Sequence, residues 1–166
     1  MFNSIKLYRW AHWLYLHHIP ILPKFFQAII FFFYNCRIPY KAKIGKGTYC
    51  SHGGIGVTVH PDAVIGENCV LGYCCHIAGQ KPYRKVAQIG NNVYICPGAV
   101  IQGPVIIEDN VIIGTNAVVL KSVSAYSIVA GVPAKIVGDV RNLKYDFFSG
   151  SERIDGVKDF MKKDNQ

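Results

Sequence analysis

Three histidines in the central part of the chain, His52, His60 and His76, are the side chains best suited to move a proton near neutral pH. His52 lies in a glycine-rich stretch, His60 precedes a proline, and His76 follows two consecutive cysteines. The other three histidines lie among aromatic residues near the N-terminus, where we expect an interface or solvent. The central three are therefore the candidates for general acid or base chemistry.

The cysteines predict no further chemistry. Six are present, at positions 36, 50, 69, 74, 75 and 96, without a CxxC pair or the spacing of a disulfide framework. Cys69 and Cys75 fall at positions expected in the core, where a free thiol packs as a small apolar group. Cys74 and Cys96 have no evident acid or base partner nearby in the sequence. We expect reduced thiols in a cytoplasm and no metal.

A six-residue repeat determines where these histidines lie. Large apolar residues recur every sixth position at Val59, Ile65, Leu71 and Ile77, and again at Ile89, Ile95, Ile101, Ile107, Ile113 and Val119. Four residues after these come smaller ones: Ala63, Cys69, Cys75, Val93, Ala99, Val105, Val111, Ala117 and Val123. A helix repeats at 3.6 and a strand at 2. The two registers instead predict an all-β solenoid of hexapeptide repeats with three short faces per coil and both registers facing inward.

Two interruptions break the period, and both predict loops that leave the coil. The first is the glycine-rich stretch after His52, and the second is a polar, basic stretch at 79–85. Because three hexads make one coil, the region from Ile44 to Val129 predicts four to five coils, stacked at about 4.8 Å. We divide the chain into an N-terminal helical segment (1–36), the solenoid (37–138) and a tail (139–166) with a short helix near 157–163.

The N-terminal segment is aromatic, basic and free of acidic residues. Helical spacing is evident over 3–18 and a second apolar stretch runs from Phe25 to Tyr34, too short to span a bilayer. No cleavable signal is apparent. The net charge of +8 indicates an anionic ligand or surface, but the basic residues form no stripe typical of nucleic-acid binding. Two interpretations stay open: the helices lie on the inner face of a membrane, or they cap the solenoid.

The end of the repeat carries a distinctive segment, Ala130-Gly131-Val132-Pro133-Ala134-Lys135-Ile136. Together with the hexads, this segment resembles the bacterial hexapeptide-repeat acyltransferases, and within them the branch of the serine acetyltransferases and polysaccharide O-acetyltransferases. The resemblance covers roughly residues 38–138. It implies a left-handed parallel β-helix, a homotrimer and acetyl-CoA as the acetyl donor.

The resemblance also implies roles for individual residues. It assigns the acetyl-CoA arm to the coil corners, at Gly79, Pro97, Gly98, Gly114, Thr115, Gly131, Pro133, Ala134 and Lys135, the last pairing with a phosphate. His52 matches the catalytic histidine of the serine acetyltransferases when counted from the preceding hexads, whereas His60 occupies the corner used by sugar acetyltransferases. The base is thus His52 or His60. We expect the acceptor to contact His76, Ser51, Arg84 and Lys85.

Three departures from the serine enzymes affect the acceptor. Arg37 and Ser51 stand where that family has aspartates, and Val86 stands where it has a second histidine. The sequence therefore favours acetyl transfer to a sugar hydroxyl in surface polysaccharide synthesis. A serine acetyltransferase and a catalytically silent trimeric scaffold are the alternatives. A zinc carbonic anhydrase of the same fold is disfavoured, because no pair of histidines in the solenoid has the HxxxxH spacing.

Overall fold

A computed structural model describes residues 3–143, in which two helices precede a coil of short strands. The helices are α1 (Ser4–Leu16) and α2 (Leu22–Tyr34). The strands are β1 (Lys43–Ile44), β2 (Tyr49–Cys50), β3 (Thr58–Val59), β4 (Val64–Ile65), β5 (Val70–Leu71), β6 (His76–Ala78), β7 (Gln88–Ile89), β8 (Tyr94–Ile95), β9 (Val100–Gln102), β10 (Ile106–Ile107), β11 (Ile112–Ile113), β12 (Val118–Val119), β13 (Ser127–Ala130) and β14 (Lys135–Asp139).

The strands form three sheets that are the faces of a solenoid. Face one contains β1, β4, β7 and β10; face two contains β2, β5, β8, β11, β13 and β14; face three contains β3, β6, β9 and β12. Neighbouring strands are parallel, except that β14 turns back antiparallel on β13. Up to β12 every third strand thus stacks on the same face, which is the architecture that the period of six predicts; β13 follows β11 on face two because only an isolated bridge at Val123 continues face one.

The core is built from the two predicted registers. Every large residue of the first register, from Val59 to Val119, is at most 3% exposed, and every smaller residue of the second, from Ala63 to Val123, is at most 6% exposed. Alternation of a large and a small inward side chain fills the narrow interior without voids. Ala125, where the period weakens, is only half-buried.

The two interruptions lengthen individual coils. Thr58 pairs with His76, a regular coil, whereas Lys43 pairs with Val64 and His76 pairs with Val100 across longer ones. The first insertion folds into a 3₁₀ turn, Ser51–Gly54, before β3. The second forms the loop between β6 and β7. Both predicted excursions are therefore real loops, and each lies at a different corner of the coil.

Helix α1 covers the first coil. Asn3 caps the helix by accepting from the Ile5 amide at 3.1 Å and also donates to the Cys50 carbonyl at 2.7 Å. The buried Tyr8 hydroxyl donates to the Ala42 carbonyl at 2.6 Å, and the Arg9 guanidinium donates to two carbonyls at the end of β1. These bonds satisfy carbonyls that have no coil beneath them, so α1 closes the end of the solenoid.

Helix α2 begins three residues earlier than the apolar stretch from Phe25 predicts. Pro23 lies in the first turn of α2, where a backbone N–H has no partner within the helix, so proline loses no hydrogen bond there. The helix can therefore begin before Pro23. The helix packs on α1 and buries only Pro23 and Ile30. Within residues 3–143 no helix has the length and apolar character needed to cross a bilayer.

The solenoid ends where β14 returns along β13. The chain then makes a 3₁₀ turn at Val140–Asn142, which Asp139 caps by accepting from the Arg141 amide at 2.9 Å. The helix expected near 157–163 lies outside the described residues.

Candidate functional site

His52 lies at the corner where the chain passes from face two to face three, which we call the histidine corner. The residue adopts a left-handed backbone conformation, with φ of 49°, inside the turn Ser51–Gly54. Its side chain is exposed, and its ring meets the Tyr73 ring edge to face at a centroid distance of 5.3 Å. The first excursion therefore presents an imidazole to solvent beside an aromatic ring.

The glycines after His52 are required by close packing beneath the turn. Gly54 has a φ of +96°, and a Cβ there would lie 2.2 Å from the Ser4 Oγ of helix α1. Gly56 has a φ of +70°, and its Cβ would lie 2.6 Å from the Cys74 Sγ of the next coil. Only glycine allows this turn to sit flat on its neighbours.

Ser51 and Tyr73 connect the turn to the coil above. The Ser51 Oγ accepts a hydrogen bond from the Tyr73 amide at 3.1 Å. The Tyr73 carbonyl in turn accepts from the Gly98 amide at 3.0 Å, one coil further on. Ser51, expected to contact the acceptor, thus also fixes the backbone that carries the ring beside His52.

The predicted donor-binding residues continue along the same corner. The Pro97 carbonyl accepts from the Asn116 amide at 3.0 Å, and a Cβ on Gly98 would lie 2.0 Å from the Asn116 Oδ1. Gly114 and Thr115 directly precede Asn116 on the next coil. The structure therefore brings these four residues into a column that begins at His52.

The segment from Gly131 to Lys135 lies at the far end of this column. The Gly131 carbonyl accepts from the Val118 amide at 3.0 Å, and the Ala134 amide donates to the Val118 carbonyl at 2.8 Å. Gly131 and Pro133 are exposed, and Lys135 opens β14 with its side chain in solvent. The segment thereby extends the corner with accessible backbone and one cation.

His60 lies at the opposite edge of face three, after β3. Its Nδ1 accepts from the Asp62 amide at 3.2 Å and is 3.8 Å from the Asp62 carboxylate. A ring whose Nδ1 accepts a hydrogen bond carries its proton on Nε2 when neutral. The ring lies beside Gly79, where a Cβ would come within 3.4 Å of Nε2. In this arrangement the neutral His60 ring offers an N–H donor at Nε2.

His76 lies on face three between the strands above and below it. Its Nδ1 is 2.6 Å from the Thr58 Oγ1, and the side chain is half-buried. The hydroxyl fixes the orientation of the ring on the sheet.

The structure separates two groups of predicted residues. Arg84 and Lys85 are exposed on the second excursion, which leaves the corner between faces three and one together with Gly79 and His60. His52, Ser51 and the donor-binding column lie at the histidine corner. Within one chain the two groups occupy opposite edges of face three.

The cysteines near the site are arranged as packing groups. Burial raises the pKa of the Cys96 thiol, although a hydrogen bond with the Thr115 side chain opposes the shift. Burial also raises the pKa of Cys36 to about 11 and of Cys50 to about 12. Such thiols stay protonated at neutral pH and are poor nucleophiles.

Sequence reasoning missed three residues that contact the histidines: Tyr73, Thr58 and Asp62. Thr58 and His76 are eighteen residues apart, a separation that stacks residues on adjacent regular coils. Tyr73 and Ser51 are 22 apart because the first excursion lengthens that coil. Both pairs could have been found from the length of the coil. A regular coil has eighteen residues, and a coil with an insertion is longer by the length of that insertion.

The part of the chain that the structure describes has no group of three or more histidine, cysteine or acidic side chains placed to hold a metal ion.

Two kinds of sequence comparison identify relatives of the chain. A family model described as "Bacterial transferase hexapeptide (six repeats)" matches residues 87–121. The serine acetyltransferase of Staphylococcus epidermidis is 36% identical over 129 residues, which is 76% of this chain and 60% of the relative. The chain thus spans 56–60% of the length of the first curated relatives that it matches.

Solved structures of serine acetyltransferases superpose on the model. The Brucella abortus enzyme in complex with coenzyme A matches with a TM-score of 0.78 and 30% identity, covering 82% of this chain and 55% of that one. The Neisseria gonorrhoeae enzyme in complex with serine matches with a TM-score of 0.75 and 30% identity, covering 81% and 55%. These matches confirm the predicted left-handed parallel β-helix.

The comparisons bear differently on donor and acceptor. The relatives bind coenzyme A and serine according to their structures, which favours serine, the alternative acceptor, over the sugar that the departures at Arg37, Ser51 and Val86 suggested. The relatives named above do not support polysaccharide synthesis. The repeat, the coil and the relatives agree on one conclusion: the chain belongs to the bacterial hexapeptide-repeat acyltransferases.

Proposed function

We propose that this protein is an acetyl-CoA-dependent O-acetyltransferase that acts at the histidine corner. One observation carries the proposal: the exposed imidazole of His52 lies at the start of the column of accessible backbone that continues through Gly98 and Thr115 to Gly131. A base and a long polar binding track on one edge are what acyl transfer from a large thioester requires.

The column suits the extended arm of acetyl-CoA. Pro97, Gly98, Gly114 and Gly131 present little side chain, so an amide-bearing ligand can approach their backbone closely. Lys135 supplies a positive charge at the far end, suited to a phosphate. In this arrangement the acetyl group lies at the His52 end of the column.

His52 is the base in this proposal. Within residues 3–143 its imidazole has no hydrogen-bond partner, and its ring contact is with Tyr73, so a ring nitrogen is free to accept a proton. His52 takes the proton of the acceptor hydroxyl as that oxygen bonds to the thioester carbonyl carbon. The carbon–sulfur bond then breaks, and the imidazolium returns the proton to the leaving thiolate of CoA.

A complete site requires neighbouring copies of the chain. Arg84, Lys85 and His60 lie across face three from His52, so one chain cannot place both groups around one acceptor. We propose a homotrimer in which the histidine corner of one subunit faces the second excursion of the next. His60 Nε2–H then supplies a hydrogen-bond donor. Arg84 and Lys85 supply positive charge to the acceptor substrate or to acetyl-CoA.

Serine is the first acceptor in this proposal. The relatives that match over three quarters of the chain are serine acetyltransferases, and one neighbouring structure is described as a complex with serine. A positively charged second excursion suits the carboxylate of serine, and His52 suits its hydroxyl.

A sugar hydroxyl is the second candidate acceptor, and the absence of acidic groups favours it. Five acidic side chains lie within residues 3–143, and none is at the histidine corner of its own chain: Asp62, Glu67, Glu108, Asp109 and Asp139. In the trimer proposed above, Asp62 is the one that would approach the corner, because it lies beside His60 of the next subunit. Free serine carries an ammonium group, and a buried or half-buried cation requires a nearby carboxylate. A neutral sugar carries no such requirement.

A competition experiment separates the two acceptors. Purified protein is incubated with acetyl-CoA and an equimolar mixture of serine, hexoses, amino sugars and nucleotide-linked sugars, and acetylated products are quantified by mass spectrometry. Mass spectrometry avoids thiol reagents, with which the exposed Cys74 would react. Dominant O-acetylserine supports the first acceptor and a dominant acetyl sugar supports the second. Acetyl-CoA turnover without any acetylated acceptor would contradict the proposal.

A further inference from the structure

Helix α2 is hydrophobic on the side that faces solvent. Phe32 and Phe33 are each 80% exposed and Ile21 is 76% exposed. The remaining exposed apolar side chains of this helix are Leu22, Phe25 and Phe31. The buried side contributes only Pro23 and Ile30. We call the exposed residues Ile21, Leu22, Phe25, Phe31, Phe32 and Phe33 the aromatic face.

An exposed surface of this kind is unusual for a soluble chain. Soluble helices bury their apolar stripe and expose the polar one, whereas α2 has Lys24 as its only charged residue. Large exposed apolar patches mark contacts with another macromolecule or a membrane. The physical problem is therefore what covers the aromatic face.

A cleft lined by cations lies beside α2. The cleft has a volume of about 470 Å³, and its lining includes Lys24 of α2 together with Arg37 and Lys41 of the following segment. Gln27, Pro39, Tyr40 and Pro61 complete the lining, so no carboxylate is among the residues that line the cleft. We call this feature the basic cleft. Three positive side chains around one cleft favour an anionic ligand such as a phosphate.

The charge of the whole N-terminal part has the same sign. No aspartate or glutamate precedes Asp62, and the cations before it are Lys6, Arg9, Lys24, Arg37, Lys41, Lys43 and Lys46. A second copy of the chain that docked through this same region would bring positive charge against positive charge. An apolar face beside an unopposed positive region instead matches an anionic bilayer, with acyl chains below and phosphates at the surface.

We propose that α2 docks on the surface of an anionic phospholipid bilayer. The aromatic face enters the region between headgroups and acyl chains, and lipid phosphates bind in the basic cleft. This docking holds the solenoid at the membrane without crossing it. The proposal is independent of the acetyl transfer proposed above, because no residue of the aromatic face belongs to the histidine corner.

The two tryptophans of the chain offer a direct reporter. Trp10 and Trp13 are the only tryptophans, and both are exposed on helix α1, against which α2 packs. Tyr and Trp side chains are favoured at the headgroup level of a bilayer. Membrane docking is therefore expected to shift tryptophan emission to shorter wavelength.

The first experiment measures binding of the 166-residue chain to two kinds of vesicle. One kind contains phosphatidylcholine alone, and the other contains phosphatidylcholine with phosphatidylglycerol. We expect flotation with the anionic vesicles, blue-shifted tryptophan emission and quenching by brominated lipid. Added salt should weaken the binding, because the phosphates attract the basic cleft through screened charge. Absence of flotation with anionic vesicles would overturn the proposal.

Variants separate the apolar and the charged contributions. Phe32→Ser with Phe33→Ser should lower the partition coefficient by about tenfold per phenylalanine. Lys24→Gln with Lys41→Gln should lower it by about fivefold per lysine, and only on anionic vesicles. The control, Leu120→Ser with Lys121→Gln, removes an exposed apolar and a basic residue from the solenoid and should leave binding unchanged.

Two further results distinguish the alternatives. Size-exclusion chromatography of the Phe32→Ser, Phe33→Ser variant should match wild type, and dissociation into a smaller species would mean that the aromatic face covers another copy. Circular dichroism should give an unchanged melting temperature, because the replaced side chains are exposed. Equal vesicle binding by wild type and this variant would also overturn the proposal.

Discussion

The surroundings of the His52 and His60 rings differ, and we propose opposite tasks for them. The His60 Nδ1 accepts from the Asp62 amide, which cannot reverse its role, so the neutral ring offers an N–H at Nε2. His52 has a ring contact with Tyr73 and, within residues 3–143, no hydrogen bond that occupies a ring nitrogen. The sequence left the choice between the two histidines open because donor and acceptor roles depend on neighbours that the period does not reveal.

Substitution of His60 tests the donor role. His60→Gln retains an N–H donor and should stay within about twofold of wild-type kcat/KM, whereas His60→Ala loses a hydrogen bond worth about 1 kcal/mol, which lowers kcat/KM by about fivefold. Steady-state kinetics with the preferred acceptor measure both. Equal and complete loss of activity in the two variants would instead indicate that His60 transfers the proton.

Gly54 tests the packing beneath the His52 turn. Gly54→Ala places a Cβ 2.2 Å from the Ser4 Oγ at a φ of +96°, so helix α1 or the turn must shift. We expect a loss of about 1–3 kcal/mol in the free energy of unfolding. Chemical denaturation measures it, with exposed Ala28→Gly on α2 as a control for general helix effects. An unchanged stability of Gly54→Ala would contradict the packing described.

Among the elements, the strands and the positions of the two loops were predictable, whereas the contacts that the loops and helices make were not. The period placed Ile101 and its equivalents inside because each strand repeats one local pattern. Helix α2 was predicted from Phe25 although it starts at Leu22, because Pro23 was interpreted as a break. The contact between Ser51 and Tyr73 escaped prediction because it depends on the length of an insertion. The exposure of Phe32 and Phe33 depends on how α2 packs on α1, which local sequence does not specify.

Two isoleucines of adjacent coil faces test the inward register. Ile101 is fully buried, so Ile101→Ala should cost about 2–5 kcal/mol in the free energy of unfolding. Ile106 projects outward and is 55% exposed, so Ile106→Ala should cost less than about 1 kcal/mol in the isolated chain. Denaturant titration measures the difference, and similar costs for both would contradict the register.

At the scale of the whole molecule, buried weak acids couple stability to alkaline pH. Burial raises the pKa of Tyr8 to about 12, of Cys36 to about 11 and of Cys50 to about 12, above ordinary values of 10.0, 9.0 and 9.0. As the pH rises, the unfolded chain loses these protons at a lower pH than the folded chain does. The free energy of unfolding therefore keeps its full value below about pH 9 and falls as the pH rises towards 12.

The alkaline loss is measurable as melting temperature against pH. Cys50→Ala should flatten the decline above about pH 9, because one buried thiol no longer distinguishes the two states. Cys74→Ala, which removes an exposed thiol, should leave the wild-type slope unchanged. A slope that is the same in Cys50→Ala and wild type would contradict the linkage.

The solenoid also provides a rigid frame for the donor. Coenzyme A that binds only the folded state should raise the free energy of unfolding by about 2.7 kcal/mol at a hundredfold excess over Kd. Differential scanning fluorimetry measures the accompanying rise in melting temperature. A silent scaffold that had lost its donor site would show no rise.

The most direct test of the central claim is acetyl transfer by His52→Ala at saturating acetyl-CoA. Loss of the general base should lower kcat by about 10²–10⁴-fold while the Kd for coenzyme A stays unchanged. The control His17→Ala removes a histidine of the N-terminal segment and should retain wild-type kcat. Wild-type turnover by His52→Ala would contradict the assignment of the base, and with it the account of the histidine corner.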